Sequence, residues 1–442
     1  MSEILIASVI LIPSICSFVV AEKKDGIRLC ALLVLAGIFF LIVLWQVDDT
    51  LPFSGSGDDK DYFNASKQTF NSLNDWFDVQ RYKQTHEQAG YPLLLAWVHQ
   101  FVGDSLYHKK AVNILTFLLI ALTWFQIGMK IAGRRLAFTC AVGVLLMTPL
   151  WFYWMFLFKD MVITFLQSIF ILGVVQSLSN RSVGKGYLLI ALSTILVIPF
   201  RSKLALINLV ALAGAVILGL RSPSSWNVIL LRVVMAGAII VSILVVGKNA
   251  DLLREMGVAG EHRSLDSQSV EAEFESRGQT RAVMFANAVK FPFLYLVGEV
   301  AAFNPKSWER GKISLIRGLS MVPWIVVGLP FFAVGTWNVL WPRKFSEIAL
   351  RTSLQREGTH YSGPMIPERT HMLVLLMFVL LYAGVAWVSA DTTRWRMPAM
   401  PAMGAIAGFA WIAMHKQQRL LMLLSWGFIL SIFLIVYYAV LR

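Results

Sequence analysis

The chain has 442 residues, of which 57% are hydrophobic and 15% are charged, and its mean hydropathy is +0.65. Soluble domains carry about 25% charged residues, so this composition excludes an ordinary soluble protein and indicates a single all-α membrane domain over residues 1–442. The formal net charge of +13 does not indicate a nucleic-acid partner, because the basic residues are scattered through short loops.

Apolar runs recur along the whole chain. A helix needs about 20 apolar residues to cross about 30 Å of hydrocarbon. We therefore predict a polytopic protein with about 12 transmembrane helices (range about 11–13). The predicted spans lie near residues 3–21, 28–47, 110–132, 136–156, 160–179, 185–200, 203–220, 226–247, 316–340, 371–390, 402–415 and 419–440.

The basic residues assign a side to each short loop. The loops of one side hold 17 Lys and Arg residues, and the short loops of the other side hold five. Because Lys and Arg are enriched in cytoplasmic loops, the richer side is predicted to be cytoplasmic. Two long segments then fall on the outer side, at 48–109 and 248–315.

The second outer segment contains an apolar stretch, 282–303, that also carries Lys290, Pro292 and Glu299. A charge at mid-bilayer costs roughly 2.5–3.5 kcal/mol on insertion scales. We therefore predict an interfacial or re-entrant helix here rather than a further span.

The first outer segment contains "GDDKDYFNASKQ", which places Asp58, Asp59 and Asp61 at the start of a predicted helix. A single aspartate before a helix is often only an N-cap, and that explains one of the three. A carboxylate held against a low-dielectric surface can instead act as a general base. The cluster could equally hold a divalent cation, Mg²⁺ or Mn²⁺, through oxygen ligands. The pattern does not separate these alternatives.

The same outer segment continues with "AGYPLLLAWVHQ". The apolar piece from Tyr91 to Val102 is too short to span, so we predict a helix that lies in the outer interface.

Three basic turns lie on the side that is otherwise poor in Lys and Arg. An isolated basic turn is usually only solvated, but three at one face predict a seat for a lipid phosphate, since the Arg fork matches phosphate oxygens. Next to the first turn, Trp151, Tyr153 and Trp154 are predicted to form an interfacial aromatic belt. The basic residues of these turns are Lys159, Arg201, Lys203, Arg394 and Arg396.

Four motifs together resemble the GT-C superfamily of glycosyltransferases, which use sugars carried on polyprenyl phosphate. They are "GDDKDYFNASKQ", "AGYPLLLAWVHQ", the "FKD" turn after an aromatic-rich span, and "RWRMPAMP" at a late outer turn. The last is similar to an Arg-aromatic-Arg-x-Pro element of bacterial members, and "FNPKSWERGK" is similar to an outer loop of exopolysaccharide members. The resemblance covers the chain from about residue 28 onwards, so residues 1–21 are predicted to be an added span.

The resemblance implies an inverting glycosyltransferase of the bacterial cytoplasmic membrane, with a GT-C-like fold and a site that faces the periplasm. Asp58 or Asp59 is expected to be the base, and the basic turns are expected to hold the lipid phosphate. The partners are a polyprenyl-phosphate-linked sugar donor, a glycan or glycolipid acceptor and membrane lipids, with no nucleic acid; no cofactor is certain beyond a candidate divalent cation. Further expected substrate contacts are Asp61, Tyr62, His86, Tyr91, Asp160, His262 and Arg263.

Two other functions fit parts of the pattern. An O-antigen polymerase or ligase would use Arg and His in the large outer loop, where His262 and Arg263 are available together with Arg277 and Arg281. A transporter of lipid-linked sugars would carry charges at mid-membrane inside its spans. The predicted spans are nearly free of acidic residues, which disfavours the transporter.

Overall fold

The structure is a computed structural model that describes residues 2–54, 58–67, 90–178, 183–201, 203–219, 295, 312–341, 369–389 and 396–441. Every regular element in these ranges is a helix, and none is a strand. The predicted all-α class is therefore confirmed for the described part of the chain.

The helices are numbered in chain order. The first ten are α1 (Ser2–Val20), α2 (Lys23–Thr50), α3 (Asp58–Ala65), α4 (Gly90–Val102), α5 (Leu106–Ala132), α6 (Arg134–Leu145), α7 (Thr148–Met155), α8 (Asp160–Leu178), α9 (Val183–Arg201) and α10 (Lys203–Gly219). They are followed by α11 (Lys312–Pro323), a π-helical segment (Trp324–Gly328), α12 (Leu329–Leu340), α13 (Arg369–Ser389), a 3₁₀ turn (Met397–Ala399), α14 (Met400–Ala413) and α15 (Lys416–Leu441).

Five described helices are long and apolar enough to cross a membrane. They are Lys23–Thr50, Leu106–Ala132, Asp160–Leu178, Val183–Arg201 and Gly318–Leu340. A sixth candidate is the pair α6 and α7, which is bent by 51° at the break between its two helices. The membrane-embedded class is thus supported, but the twelve spans and the GT-C fold stay predictions. The span predicted at 226–247 lies outside the described residues.

The outer surface of the helices suits a lipid environment. Large apolar side chains are exposed on α1, α2, α9 and α15, with Leu35, Ile195 and Phe428 as examples at 69%, 63% and 68% exposure. Apolar patches of this extent are unfavourable in water and favourable against lipid tails.

The helices of the α8–α9 hairpin approach closely because glycines face each other. A Cβ atom added at Gly186 would lie 2.7 Å from the carbonyl oxygen of Gly173, and one added at Gly173 would lie 2.8 Å from the carbonyl oxygen of Gly186. Small residues at such a crossing allow backbone contact between membrane helices.

The π-helical segment between α11 and α12 is stabilised by a neighbouring helix. A π turn disturbs the regular hydrogen-bond ladder of an α-helix. The indole nitrogen of Trp426 on α15 donates to the carbonyl oxygen of Ile325 at 2.9 Å. This bond ties α15 to the middle of the Gly318–Leu340 span.

Contacts between helix ends join segments that the charge pattern places on one side. At the predicted cytoplasmic side, Arg134 pairs with Asp25 at 2.7 Å. Arg369 likewise donates to the carbonyl oxygens of Val339 and Leu340, each at 3.0 Å. At the predicted outer side, Lys110 at the start of α5 pairs with Asp48 at the end of α2, at 2.6 Å.

Candidate functional site

The acidic motif forms the short helix α3, and Asp59 lies at its inner face. The Asp59 side chain is 1% exposed. One carboxylate oxygen accepts from the backbone N–H of Ser54, and the other accepts from the N–H of Lys60 at 3.0 Å. The carboxylate therefore ties the extended segment before α3 to the helix itself.

The other two aspartates of the motif have different surroundings. Asp58 is the first residue of α3, and its side chain lies outside the described part of the structure. Asp61 is exposed, so the structure does not bring it into the buried cluster that contains Asp59. The helical spacing explains this, because residues two apart on a helix point to different faces.

Two consecutive lysines at the start of α5, Lys109 and Lys110, contact the acidic segment. The sequence analysis did not predict them as site residues. Both Lys109 and Lys110 are 0% exposed. Lys109 donates to the Ser66 hydroxyl at 2.9 Å, and its ammonium lies 4.4 Å from the centre of the Phe63 ring. Lys110, besides its bond to Asp48, lies within electrostatic range of Asp59. Two adjacent lysines opening an apolar run after an acidic loop are the signal that could have indicated this.

A buried tyrosine pair connects α3 to α4. The rings of Tyr62 and Tyr91 meet edge to face with centroids 5.2 Å apart. The Tyr91 hydroxyl donates to the side-chain oxygen of Asn113 on α5 at 3.1 Å. Burial raises the pKa of Tyr91 well above its ordinary value, so the hydroxyl stays protonated and remains a donor.

The first basic turn, between α7 and α8, reaches the same cluster. The side-chain nitrogen of Asn113 donates to the carbonyl oxygen of Phe156 at 2.7 Å. Three residues further on, the Lys159 ammonium lies 5.9 Å from the centre of the Tyr62 ring. Lys159 is 9% exposed, so its charge lies within the protein rather than in a solvated turn.

Two of the three residues of the predicted aromatic belt are in the core rather than at the surface, and the third, Trp151, is half-buried. Tyr153 and Trp154 are 3% and 0% exposed. The Trp154 ring packs against Phe40 of α2, with centroids 5.1 Å apart. The chain bends by 51° between α6 and α7, and Pro149 at the start of α7 is the sequence signal that could have indicated this break.

The second basic turn follows α9 and meets the first residue of α8. Arg201 lies 3.6 Å from the Asp160 carboxylate, and both side chains are buried. The start of α4 abuts the same place, since a Cβ atom added at Gly90 would lie 2.8 Å from the backbone of Pro199. The start of α4 and the last turn of α9, which carries Arg201, are therefore in direct contact.

The third basic turn contributes Arg396, which is 1% exposed. Its guanidinium donates to the carbonyl oxygen of Tyr295 at 3.5 Å and contacts the Met321 sulfur at 3.2 Å. The 3₁₀ turn Met397–Ala399, which directly follows Arg396, packs against α8, the helix that begins at Asp160. The third basic turn therefore lies against the helix whose first residue pairs with Arg201.

The described part of the structure brings seven of the 14 predicted site residues together. The residues that share the cluster are Asp59, Tyr62, Tyr91, Lys159, Asp160, Arg201 and Arg396. Lys203 begins α10, but its side chain is not described, and Arg394, His86, His262 and Arg263 lie outside the described residues. Among the residues described, no three His, Cys, Asp or Glu side chains form a metal-binding group, so the divalent cation stays a prediction without a ligand set.

No protein-family model, curated protein or solved structure matches the chain. Membership of the GT-C superfamily therefore stays a prediction.

Proposed function

We propose that the protein is a membrane glycosyltransferase that transfers a sugar from a polyprenyl-phosphate donor to a hydroxyl of a lipid-linked or cell-envelope glycan. One observation carries the proposal. The buried Asp59 lies one helical turn before Tyr62 on α3, and Lys159 faces the Tyr62 ring at 5.9 Å. Asp160, next to Lys159, pairs with Arg201, and the turn that follows Arg396 packs on the helix that Asp160 begins.

The cluster contains the two kinds of group that this transfer needs. The hydroxyl oxygen of the acceptor forms a bond to the anomeric carbon of the sugar, and a carboxylate accepts the proton that this hydroxyl loses. The bond between that carbon and the phosphate oxygen breaks, and its electron pair stays with the phosphate. Cations fixed beside the phosphate stabilise the negative charge that develops there, which is usually the largest electrostatic contribution to such catalysis.

Asp58 and Asp59 are both candidates for the base. Each oxygen of the Asp59 carboxylate accepts one backbone N–H. Because each carboxylate oxygen has two lone pairs, Asp59 retains acceptor capacity for a substrate hydroxyl. Asp58 precedes it on the same helix, and the Asp59 tether fixes the backbone that carries Asp58. Asp59 therefore serves either as the base itself or as the residue that positions it.

The buried cations favour a phosphate as the group that binds here. Lys159, Arg201 and Arg396 are buried and come from three separate basic turns. Cationic side chains gathered at one place attract an anion, and a phosphate carries the kind of charge that they bind. Arg suits this role because its planar fork donates two parallel hydrogen bonds.

The test is transfer by the purified protein in liposomes, with a radiolabelled polyprenyl-phosphate sugar and a glycolipid acceptor. We expect a labelled product from the wild-type protein and none from the Asp58→Asn/Asp59→Asn double variant. Asp49→Asn is the matched control, because Asp49 is an exposed carboxylate of the same outer segment, and it should leave product formation intact. Movement of the donor across the bilayer without any product would favour a transporter instead.

A further inference from the structure

Asn113 occupies a buried junction between three parts of the site. It lies on α5 and is 0% exposed. Its side-chain oxygen accepts from the Tyr91 hydroxyl of α4 at 3.1 Å, and its nitrogen donates to the Phe156 carbonyl oxygen at 2.7 Å. A longer contact of 3.5 Å reaches the carbonyl oxygen of Phe158.

The carbonyls that Asn113 contacts belong to the turn that carries Lys159. Phe156 directly follows α7, which ends at Met155, and Phe158 lies two residues before α8, so both carbonyls belong to the turn between the two helices. The Phe156 carbonyl oxygen also accepts the backbone N–H of Phe158 at 3.0 Å, and its second lone pair takes the bond from Asn113. An amide is suited to this place because it donates to a carbonyl on one side while it accepts from a hydroxyl on the other.

These contacts form a closed ring of residues, and Lys159 is one of its members. From Asn113 the ring passes through the turn to Lys159, whose ammonium faces the Tyr62 ring at 5.9 Å. Tyr62 meets Tyr91 at 5.2 Å, and Tyr91 returns to Asn113. The acidic helix and the first basic turn are thereby held at a fixed separation, with Asn113 as the hydrogen-bonded connection.

We propose that Asn113, together with Tyr91, is a positioning residue that holds the Lys159 turn in place for binding of the donor phosphate. This role rests on the proposed function, since it assigns Lys159 to a phosphate. Asn113 acts through the turn rather than on the substrate.

The first arm of the test does not depend on catalysis. The Asn113→Leu variant keeps the size of the side chain and removes both hydrogen bonds, and Tyr91→Phe removes one. Thr116→Val is the matched control, because Thr116 is a buried residue of the same helix whose hydroxyl bonds only within that helix in the described contacts, to Val112 at 2.8 Å. We expect hydrogen exchange of the amides in 156–160 to become at least about tenfold faster in Asn113→Leu than in Thr116→Val. Tyr91→Phe should fall between the two.

The second arm measures binding of a short-chain polyprenyl phosphate that carries no sugar. We expect Asn113→Leu to weaken binding roughly three- to tenfold. In a Lys159→Gln background, the same substitution should change the affinity by less than about twofold. Asn113 affects the affinity through the position of the Lys159 ammonium, and that group is absent from this background.

The outcomes separate the two proposals. If the wild-type protein does not bind the polyprenyl phosphate, the proposed function fails and the phosphate role of Lys159 fails with it. If the wild-type protein binds but exchange in 156–160 is unchanged by Asn113→Leu, or if the Asn113 and Lys159 effects on affinity are additive, only the positioning role is overturned.

Discussion

Asp160, the first residue of α8, lies 3.6 Å from Arg201, the last residue of α9, and both side chains are almost entirely buried. Each charge sits at the helix end that favours it, since an acid suits a helix N-terminus and a base suits a C-terminus. The pair therefore joins the start of α8 to the end of α9, beside the place where α4 begins.

The first prediction concerns this pair. Replacing one partner leaves an uncompensated buried charge, which typically costs about 3–5 kcal/mol. We expect Arg201→Gln and Asp160→Asn each to lower the thermal midpoint of unfolding in detergent, and the double variant to recover part of the loss. Transfer activity should not recover in the double variant, because Arg201 also serves the phosphate. Full recovery of activity would show that Arg201 is only structural.

The second prediction separates the two candidate bases. Asp59→Asn places an amide nitrogen against a backbone donor, so it should reduce stability by about 1–3 kcal/mol as well as activity. Asp58→Asn should reduce activity with a smaller loss of unfolding free energy than Asp59→Asn, because the described backbone tether belongs to Asp59. The measurement is thermal unfolding and transfer on the same protein preparations. Equal unfolding midpoints for the two variants would contradict the tethering role of Asp59.

The third prediction concerns the lysines that hold the acidic segment. Lys110→Met leaves the partly exposed Asp48 without its partner at 2.6 Å and should destabilise the protein by about 1–3 kcal/mol. Lys67→Met is the control, because Lys67 is exposed and its pairing with Asp104 at 3.9 Å is a surface contact of about 0–1 kcal/mol. Limited proteolysis within 48–67 should become faster in the first variant only. Equal cleavage of the two variants would argue against a holding role for Lys110.

The fourth prediction concerns the close approach of α4 to α9. An alanine at Gly90 would place its Cβ atom 2.8 Å from the Pro199 backbone, so α4 must shift away from the Arg201 turn. We expect Gly90→Ala to reduce binding of polyprenyl phosphate and transfer together. Gly143→Ala provides the comparison, because a Cβ atom there meets nothing within 4 Å and should have little effect on either. Unchanged binding in Gly90→Ala would indicate that the α4 contact does not shape the site.

Part of this arrangement could be predicted from the sequence because it follows from composition. Hydropathy predicted helices at the places where α2, α5, α8 and α9 form, and the alternation of sides predicted that the acidic helix and the basic turns share one end. Asp59, Lys159, Arg201 and Arg396 were each named on that ground.

Other features of the site depend on packing between helices that are distant in sequence, and no local sequence pattern predicts them. Asn113 looks like an ordinary residue of an apolar helix until α4 and the Lys159 turn are folded around it. Pro149 could have indicated the bend of 51° between α6 and α7, but Trp154 lies in the core rather than at the predicted interface. Asp61 lies two residues after Asp59 on α3 and is exposed. The motif therefore predicts where the acidic residues lie along the chain, but the fold determines which of them is buried in the cluster.

The most direct measurement is an experimental structure of the protein with a short-chain polyprenyl phosphate bound. The phosphate should lie within hydrogen-bond distance of at least two of Lys159, Arg201 and Arg396, on the side of the cluster that faces α3. A phosphate bound at the opposite end of the helices, beside Arg134 and Asp25, would contradict the proposed site.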